Sequence, residues 1–531
     1  MSFFKTLSWS RRDLLKRSSV ALAASPVALI TGEPAIAAPP KLPVLSGHEK
    51  DNLFTRIGVR PIINGRGTYT IISGSRSLPQ VKQAMFEASH YYVHLDEMMD
   101  AIGARLSQLT GAEWGIATNG CDAAICLATI ACIAGTDIEK CQALPFIKAK
   151  DQVIIPNHSR NPYDIGVRMV GSEIVEVASP DELRAKMSER TAMIYIMAGP
   201  RAATGPLSIT NICAIAKEKG VPVFVDAAAE EPLKPNIHLA VGATLVGYSG
   251  GKCLRGPQSS GMLIGDKNLC KAAYFQAAPH HCYGRALKCS KEEAMGLLAA
   301  VEQWYKRDHA GEQLMWRGWL KTIENRLNGL ASTSFEYLEP NDLSNKATRL
   351  RIHWDANVLK ITGTELLDRL DAGTPRILVE SGTGRRPDAM ASTLTIMPYM
   401  MDPGEERIIA DAVHTALTRP GSYDNPAVIT GTPLPIGGAW SVTVQYLRGQ
   451  AEHHFALDQN GNVVTGQHKG EIYNGSIRGT VRAGIVELRS TMAVPGNDIG
   501  WTFRGTAGDG HMSGTADMGE YGPASWTAVR A

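Results

Sequence analysis

An excess of charge of either sign is missing from this sequence. Its 54 basic side chains face 52 acidic ones, a formal net charge of +2 over 531 residues. Removing residues 1 to 37 takes out five basic and two acidic side chains and leaves a balance of −1. Nucleic-acid binding draws its affinity from clustered positive charge, so the composition argues against DNA or RNA as a partner. A long apolar run is missing as well, since the stretch from Val20 to Ile30 is too short to cross a bilayer. No CxxC or HxxxH pair accompanies His280, His281, Cys282 and Cys289, so no metal is expected. Nine cysteines cannot all pair within one chain. Cys121, Cys126 and Cys132 fall on one predicted alanine-rich helix and Cys213 on another, which suits buried thiols acting as small hydrophobes.

The amino-terminal stretch reads as an address rather than as fold. Ser10-Arg11-Arg12-Asp13-Leu14-Leu15-Lys16 matches the twin-arginine pattern, and Ala35-Ile36-Ala37 offers a small-residue cleavage site. An amphipathic helix is the competing reading, but Pro26, Pro34, Pro39 and Pro40 interrupt it. Residues 1–37 are therefore expected to be a signal peptide, with a periplasmic product that has no membrane attachment after cleavage.

The length suits two to four domains. From Ile57 onward, predicted strands alternate with helices: Glu113 to Thr118, Gln152 to Pro156, Glu173 to Val177, Met193 to Met197 and Val223 to Asp226. This alternation implies a mainly parallel, doubly wound α/β sheet. Ser290 to Glu293 is a capping box that opens a helix running to about Arg307. A final helix is expected from Asp402 as cap with Pro403 as its first residue. After the Pro/Gly-rich stretch 425–435, seven short strands separated by Gly, Asn and Asp argue for an antiparallel sandwich or barrel. The expected domains are 48–330 (large α/β), 331–424 (small α/β) and 436–531 (β). The β domain shows no catalytic constellation and reads as a packing or interaction module, or else as a ligand-binding barrel.

The chemistry concentrates in Gly242 to Gly265, GATLVGYSGGKCLRGPQSSGMLIG. An apolar strand breaks into Ser249-Gly250-Gly251-Lys252, and a second apolar run returns over Met262 to Ile264. Paired glycines let backbone or a flat ligand approach closely. A desolvated lysine amine is a competent nucleophile toward a carbonyl. Upstream, Val221-Pro222-Val223-Phe224-Val225-Asp226-Ala227 is a buried-strand pattern ending in a carboxylate, 26 residues before Lys252. That separation allows a crossover to a neighbouring parallel strand. Both residues then stand at carboxyl ends of strands, where open parallel sheets bind ligands. A carboxylate facing a Schiff-base-forming lysine is the pair that pyridoxal phosphate requires. A plain Asp–Lys ion pair is the alternative.

VPVFVDAAAE followed by GATLVGYSGGKCLRGPQSSGMLIG resembles the selenocysteine synthase-like branch of fold-type I pyridoxal phosphate enzymes, which includes seryl-tRNA selenium transferase and the D-glucosaminate-6-phosphate ammonia-lyases. The resemblance extends over about residues 57 to 420. It implies a phosphate-binding turn at Asn119-Gly120-Cys121, where a strand feeds a helix N-terminus, with Ser249 assisting. Asp122 departs from the family's turn, because it adds a negative charge beside a phosphate. The resemblance also implies a role for His158, on the cofactor ring or in proton movement, although Ser159 disturbs that alignment. In this fold type an arginine from the small domain grips the substrate carboxylate. Arg386, in Gly384-Arg385-Arg386-Pro387-Asp388, is the candidate, and a solvated basic loop is the alternative.

The resulting expectation is an exported, homodimeric or higher-oligomeric enzyme with pyridoxal 5′-phosphate on Lys252 and Asp226 at the pyridine nitrogen. Twin-arginine export of a folded protein suits loading with cofactor in the cytosol. The first reading of the reaction is a lyase eliminating ammonia or water from a hydroxylated amino acid or amino-sugar acid. Selenium transfer, transamination, racemisation and a non-catalytic binding protein are the alternatives.

Overall fold

The computed structural model describes residues 51–531 apart from Ala149, Asp342 and Val428. The twin-arginine stretch and its cleavage site lie outside the described residues. No helix among the described residues is long and apolar enough to cross a membrane.

Seven strands build the large sheet. Their order is Trp114–Thr118, Gly261–Gly265, Leu245–Ser249, Val223–Asp226, Thr191–Met197, Gln152–Pro156 and Glu173–Val177. Neighbours from Leu245–Ser249 outward pair in parallel, while Gly261–Gly265 runs antiparallel to both of its neighbours. Phe224, Val225, Ile194, Ile196, Val153 and Ile154 are fully buried, as strands covered on both faces require. At about 25 cal/mol per Å² of apolar surface, each such side chain contributes roughly 1.5–3 kcal/mol. Helix Gly120–Ala134 is buried along nearly its whole length and packs on the sheet and on helix Lys267–Gln276. Its alanines, cysteines and isoleucines leave no polar face, the pattern of a core helix.

The second core lies around a four-stranded antiparallel sheet in the order Ser381–Arg385, Ala389–Ile396, Arg349–Asp355, Ser334–Leu338. Helices His309–Leu327, Gly363–Ala372 and Glu405–Thr418 cover it. Ile62–Gly65 pairs in parallel with Arg376–Val379. Two helix boundaries differ from expectation. The capping box at Ser290 is formed, but its helix ends at Trp304, and Asp308 caps a separate helix. The last helix starts at Glu405 rather than Pro403, because the side chain of Asp402 is taken by Arg76 and Gly404 holds the left-handed N-cap position.

The carboxyl-terminal region is a closed antiparallel barrel of eight strands, from Gly438–Gln445 to Pro523–Arg530. The eighth strand is the one that the sequence pattern missed. Its opening proline obscures a clean alternation in which Ala524, Trp526 and Ala528 point inward. Pairing of Pro523–Arg530 with both His511–Asp517 and Gly438–Gln445 removes the exposed edges that an open sheet would carry. Trp440, Phe455, Phe503 and Trp526 fill the interior. A buried polar line, His453 to His468 at 2.8 Å and His468 to Ser490 at 2.9 Å, runs through it.

Candidate active site

Asp226 closes the buried strand Val223–Asp226 and is 4% exposed. A carboxylate at that depth needs donors, and three surround it. Tyr195 Oη donates to Oδ2 at 2.8 Å, the Ala228 amide donates to Oδ1 at 3.1 Å, and Cys121 Sγ lies 3.5 Å from Oδ1. Asn161 Nδ2 donates to Tyr195 Oη at 3.1 Å and so orients that hydroxyl. Burial, and then the Asp226 charge, push the Tyr195 hydroxyl and the Cys121 thiol well above their ordinary ranges, so both stay protonated as donors.

The strand Leu245–Ser249 lies parallel to and beside Val223–Asp226, and the turn after it carries Lys252. Gly250 and Gly251 fold that turn tightly. A Cβ on Gly250 would meet Ser260 Oγ at 2.1 Å, and one on Gly251 would meet Gln258 Cα at 2.7 Å. The glycines therefore bring backbone against backbone, the first of the two uses expected from sequence. Lys252 is half-buried, and its ammonium makes no hydrogen bond or ion pair with any described residue.

Helix Gly120–Ala134 points its amino terminus at the same space. Asn119 occupies the N-cap position but makes no capping hydrogen bond, so its side chain leaves the first-turn amides uncapped. Asp122 sits in that first turn. Desolvation, followed by the Asp226 charge, pushes its carboxyl up to about 6, with Lys252 pulling the other way.

These residues enclose an open cavity of about 250 Å³. It is lined by six of the eight sequence candidates: Asn119, Gly120, Cys121, Asp226, Ser249 and Lys252. Two candidates are elsewhere. His158 is held through Nε2 by the Leu207 carbonyl at 3.1 Å and through Nδ1 by Ser159 Oγ at 3.1 Å, and it does not line the cavity. Arg386 bonds Glu365 Oε1 at 2.7 Å and the Lys360 carbonyl at 2.5 Å, also away from the cavity. No arginine among the described residues lines the cavity. Sequence reasoning missed Thr68, Gln258 and above all Tyr163, which faces the cavity. Tyr163 stands five residues after His158, in the next short helical turn.

Pyridoxal phosphate can be tested against this lining. An unpaired lysine suits its aldehyde, a buried carboxylate held by three donors with an acceptor site to spare suits its ring nitrogen, and an uncapped helix terminus beside Ser249 suits its phosphate. The residues present fit the group. Asp122, in the first turn of the same helix, is the residue of the lining that works against a phosphate.

Comparison with known proteins agrees. The chain is 28% identical over 333 residues to D-glucosaminate-6-phosphate ammonia lyase of Salmonella typhimurium (strain 14028s / SGSC 2262), covering 61% of this chain and 87% of the relative. It is 28% identical over 376 residues to 5′-C-glycyluridine monooxygenase-decarboxylase of a Streptomyces species, covering 67% and 90%. It is 24% identical over 283 residues to L-seryl-tRNA(Sec) selenium transferase of Carboxydothermus hydrogenoformans (strain ATCC BAA-161 / DSM 6008 / Z-2901), covering 47% and 57%. A solved structure of D-glucosaminate-6-phosphate ammonia-lyase matches the fold with a TM-score of 0.59 at 24% identity, over 70% of this chain and 99% of that one. No protein-family model matches the chain. Fold, cavity and relatives agree: the chain has the fold of the fold-type I pyridoxal phosphate enzymes and is related to the ammonia lyases and selenium transferases of the selenocysteine synthase-like branch, with pyridoxal 5′-phosphate as its expected cofactor.

Proposed function

We propose that the chain is an exported lyase that removes ammonia or water from a hydroxylated amino acid or amino-sugar acid. The observation that carries the enzyme reading is the unpaired Lys252 sharing one cavity with the buried, triply donated Asp226. Lyase chemistry is supported by the ammonia lyase relative of Salmonella typhimurium. Pyridoxal phosphate, when bound, supplies an electron sink that makes the proton on the substrate's amino-bearing carbon acidic.

The chain's own residues do the rest. Lys252 would hold the cofactor aldehyde and afterwards carry a proton on Nζ between the substrate carbon and its leaving group, as a half-buried amine without another partner can. Asp226 would keep a proton at the ring nitrogen, with Tyr195 and Cys121 holding the carboxylate in place. Asn119, Gly120, Cys121 and Ser249 would bind the phosphate. Tyr163 faces the cavity where the substrate would enter. Arg386, neutralised by Glu365, is left out of this arrangement.

Export rests on the twin-arginine pattern at Arg11 and Arg12. Self-association, as a homodimer or a higher homo-oligomer, is supported by Tyr91, Tyr92 and Val93, consecutive apolar side chains standing exposed. Incubating cofactor-loaded protein with β-hydroxy amino acids and amino-sugar acids tests the reaction: ammonia and keto acid should form together. Transfer of the amino group to a keto-acid acceptor would replace the reading with transamination, and stereoinversion without ammonia would replace it with racemisation. Selenium transfer is the alternative that the Carboxydothermus relative favours, and near-neutral charge weighs against a tRNA partner.

A further inference from the structure

Asn161 stands between the barrel and the cavity. On one side its Oδ1 accepts from the Tyr163 amide at 2.8 Å, and its Nδ2 donates to Tyr195 Oη, which itself donates to Asp226. On the other side its backbone carbonyl meets the barrel. Pro495-Gly496 is the turn joining strands Ile485–Val494 and Asn497–Gly508. A Cβ on Gly496 would lie 2.2 Å from Asn161 O and 3.0 Å from Asp164 Oδ2, so the contact closes only around a residue without a side chain. The backing is firm, because Asp164 is fully buried between Arg160 Nε at 2.6 Å and Arg168 Nε at 3.0 Å.

A second part of the barrel lies toward the same tyrosine. The turn Gly519–Tyr521 is linked to the Gly496 hairpin by Asn497 Nδ2 donating to Tyr521 Oη at 3.4 Å. Glu520 in that turn is exposed, and its charge joins burial, Asp122 and Asp226 in raising the Tyr163 hydroxyl.

We propose that the barrel is a positioning element of the active site: its Pro495-Gly496 turn seats on Asn161, and thereby holds the hydrogen-bonded line Asn161–Tyr195–Asp226 and fixes Tyr163 at the cavity. This assignment rests on the reading of Asp226 and Tyr163 as site residues. It gives the β domain a task that a freely appended packing module would not have.

The test compares Gly496→Ala with Gly510→Ala in the full chain. Gly510 is also a left-handed hairpin glycine, with φ +68° against +74°, but no atom of a described residue lies within 4 Å of its would-be Cβ. Both variants therefore bear the backbone strain, and only Gly496→Ala bears the clash. Amide hydrogen exchange of residues 157–164 is read with and without added pyridoxal 5′-phosphate, and the visible absorbance of the loaded protein is recorded. Gly496→Ala should speed that exchange by about tenfold or more and move the absorbance maximum, whereas Gly510→Ala should leave both at parent values. If barrel tryptophan fluorescence shows Gly496→Ala unfolded, Gly496→Asn replaces it, since Asn tolerates the left-handed region yet carries the same Cβ. Equal exchange and an unmoved maximum in the Gly496 and Gly510 variants would overturn the proposal. Failure of the parent to bind the cofactor would instead sink the site reading, and would leave the exchange comparison in cofactor-free protein intact.

Discussion

Tyr195 donates a 2.8 Å hydrogen bond to Asp226 from the neighbouring parallel strand, and its other contact, Asn161 at 3.1 Å, fixes the direction of that bond. The carboxylate thus has a dedicated donor inside the sheet. Hydrogen bonds to charged groups contribute about 1.5–3 kcal/mol, so Tyr195→Phe should lower turnover by roughly tenfold to a hundredfold. Cofactor content should remain close to parent. Unchanged turnover, measured by ammonia release, would mean that Asp226 holds its place without this donor.

Lys252→Ala should abolish the visible absorbance of bound cofactor. Borohydride reduction of the loaded parent protein should place the label on Lys252. A label that peptide mapping puts on Lys288 or Lys291 would sink the assignment.

Arg386→Ala should cost stability and not substrate affinity. Its partner Glu365 also completes the cap of helix Gly363–Ala372 by accepting from the Thr362 amide at 2.8 Å. Removing the arginine leaves a half-buried carboxylate without its cation, a loss of about 1–3 kcal/mol. Thermal unfolding should shift down while KM stays at the parent value. A large rise in KM with normal stability would return Arg386 to the substrate.

The barrel should be acid-labile. Burial first, and then the neighbouring His453, lower His468 to about 3 from its ordinary 6.5. A histidine whose folded value is depressed is held neutral by the fold. Its contribution is present above the unfolded value near 6.5 and is lost as pH falls toward about 3. Unfolding followed by barrel tryptophan fluorescence should therefore move to lower temperature as pH drops from 7 to 4. His468→Gln should flatten that slope, and an unaltered slope would exclude this group as its source.

Arg11→Lys together with Arg12→Lys should leave an uncleaved precursor in the cytoplasm, as read by cell fractionation and mass. Unchanged periplasmic recovery would show that another route, or none, is in use.

Local pattern was enough for much of this protein. The runs Val223–Asp226 and Leu245–Ser249 read as buried parallel strands because β-branched and aromatic residues follow one another without polar interruption. A carboxylate at one strand end and a glycine-flanked lysine after the next then had to meet at the same sheet edge. Partner choice lies beyond local pattern, because it depends on which side chains the crossovers bring together. Arg386 reads from the sequence as a grip for a substrate carboxylate or as part of a solvated basic loop, yet folding places it against Glu365, 21 residues earlier. His158 and Tyr163 stand five residues apart, each on its own short helical turn, and the folded path of those turns sets the tyrosine at the cavity and the histidine against Leu207. The closure of the barrel and its seat on Asn161 are likewise tertiary, since both require backbone groups far apart in sequence to come within van der Waals distance.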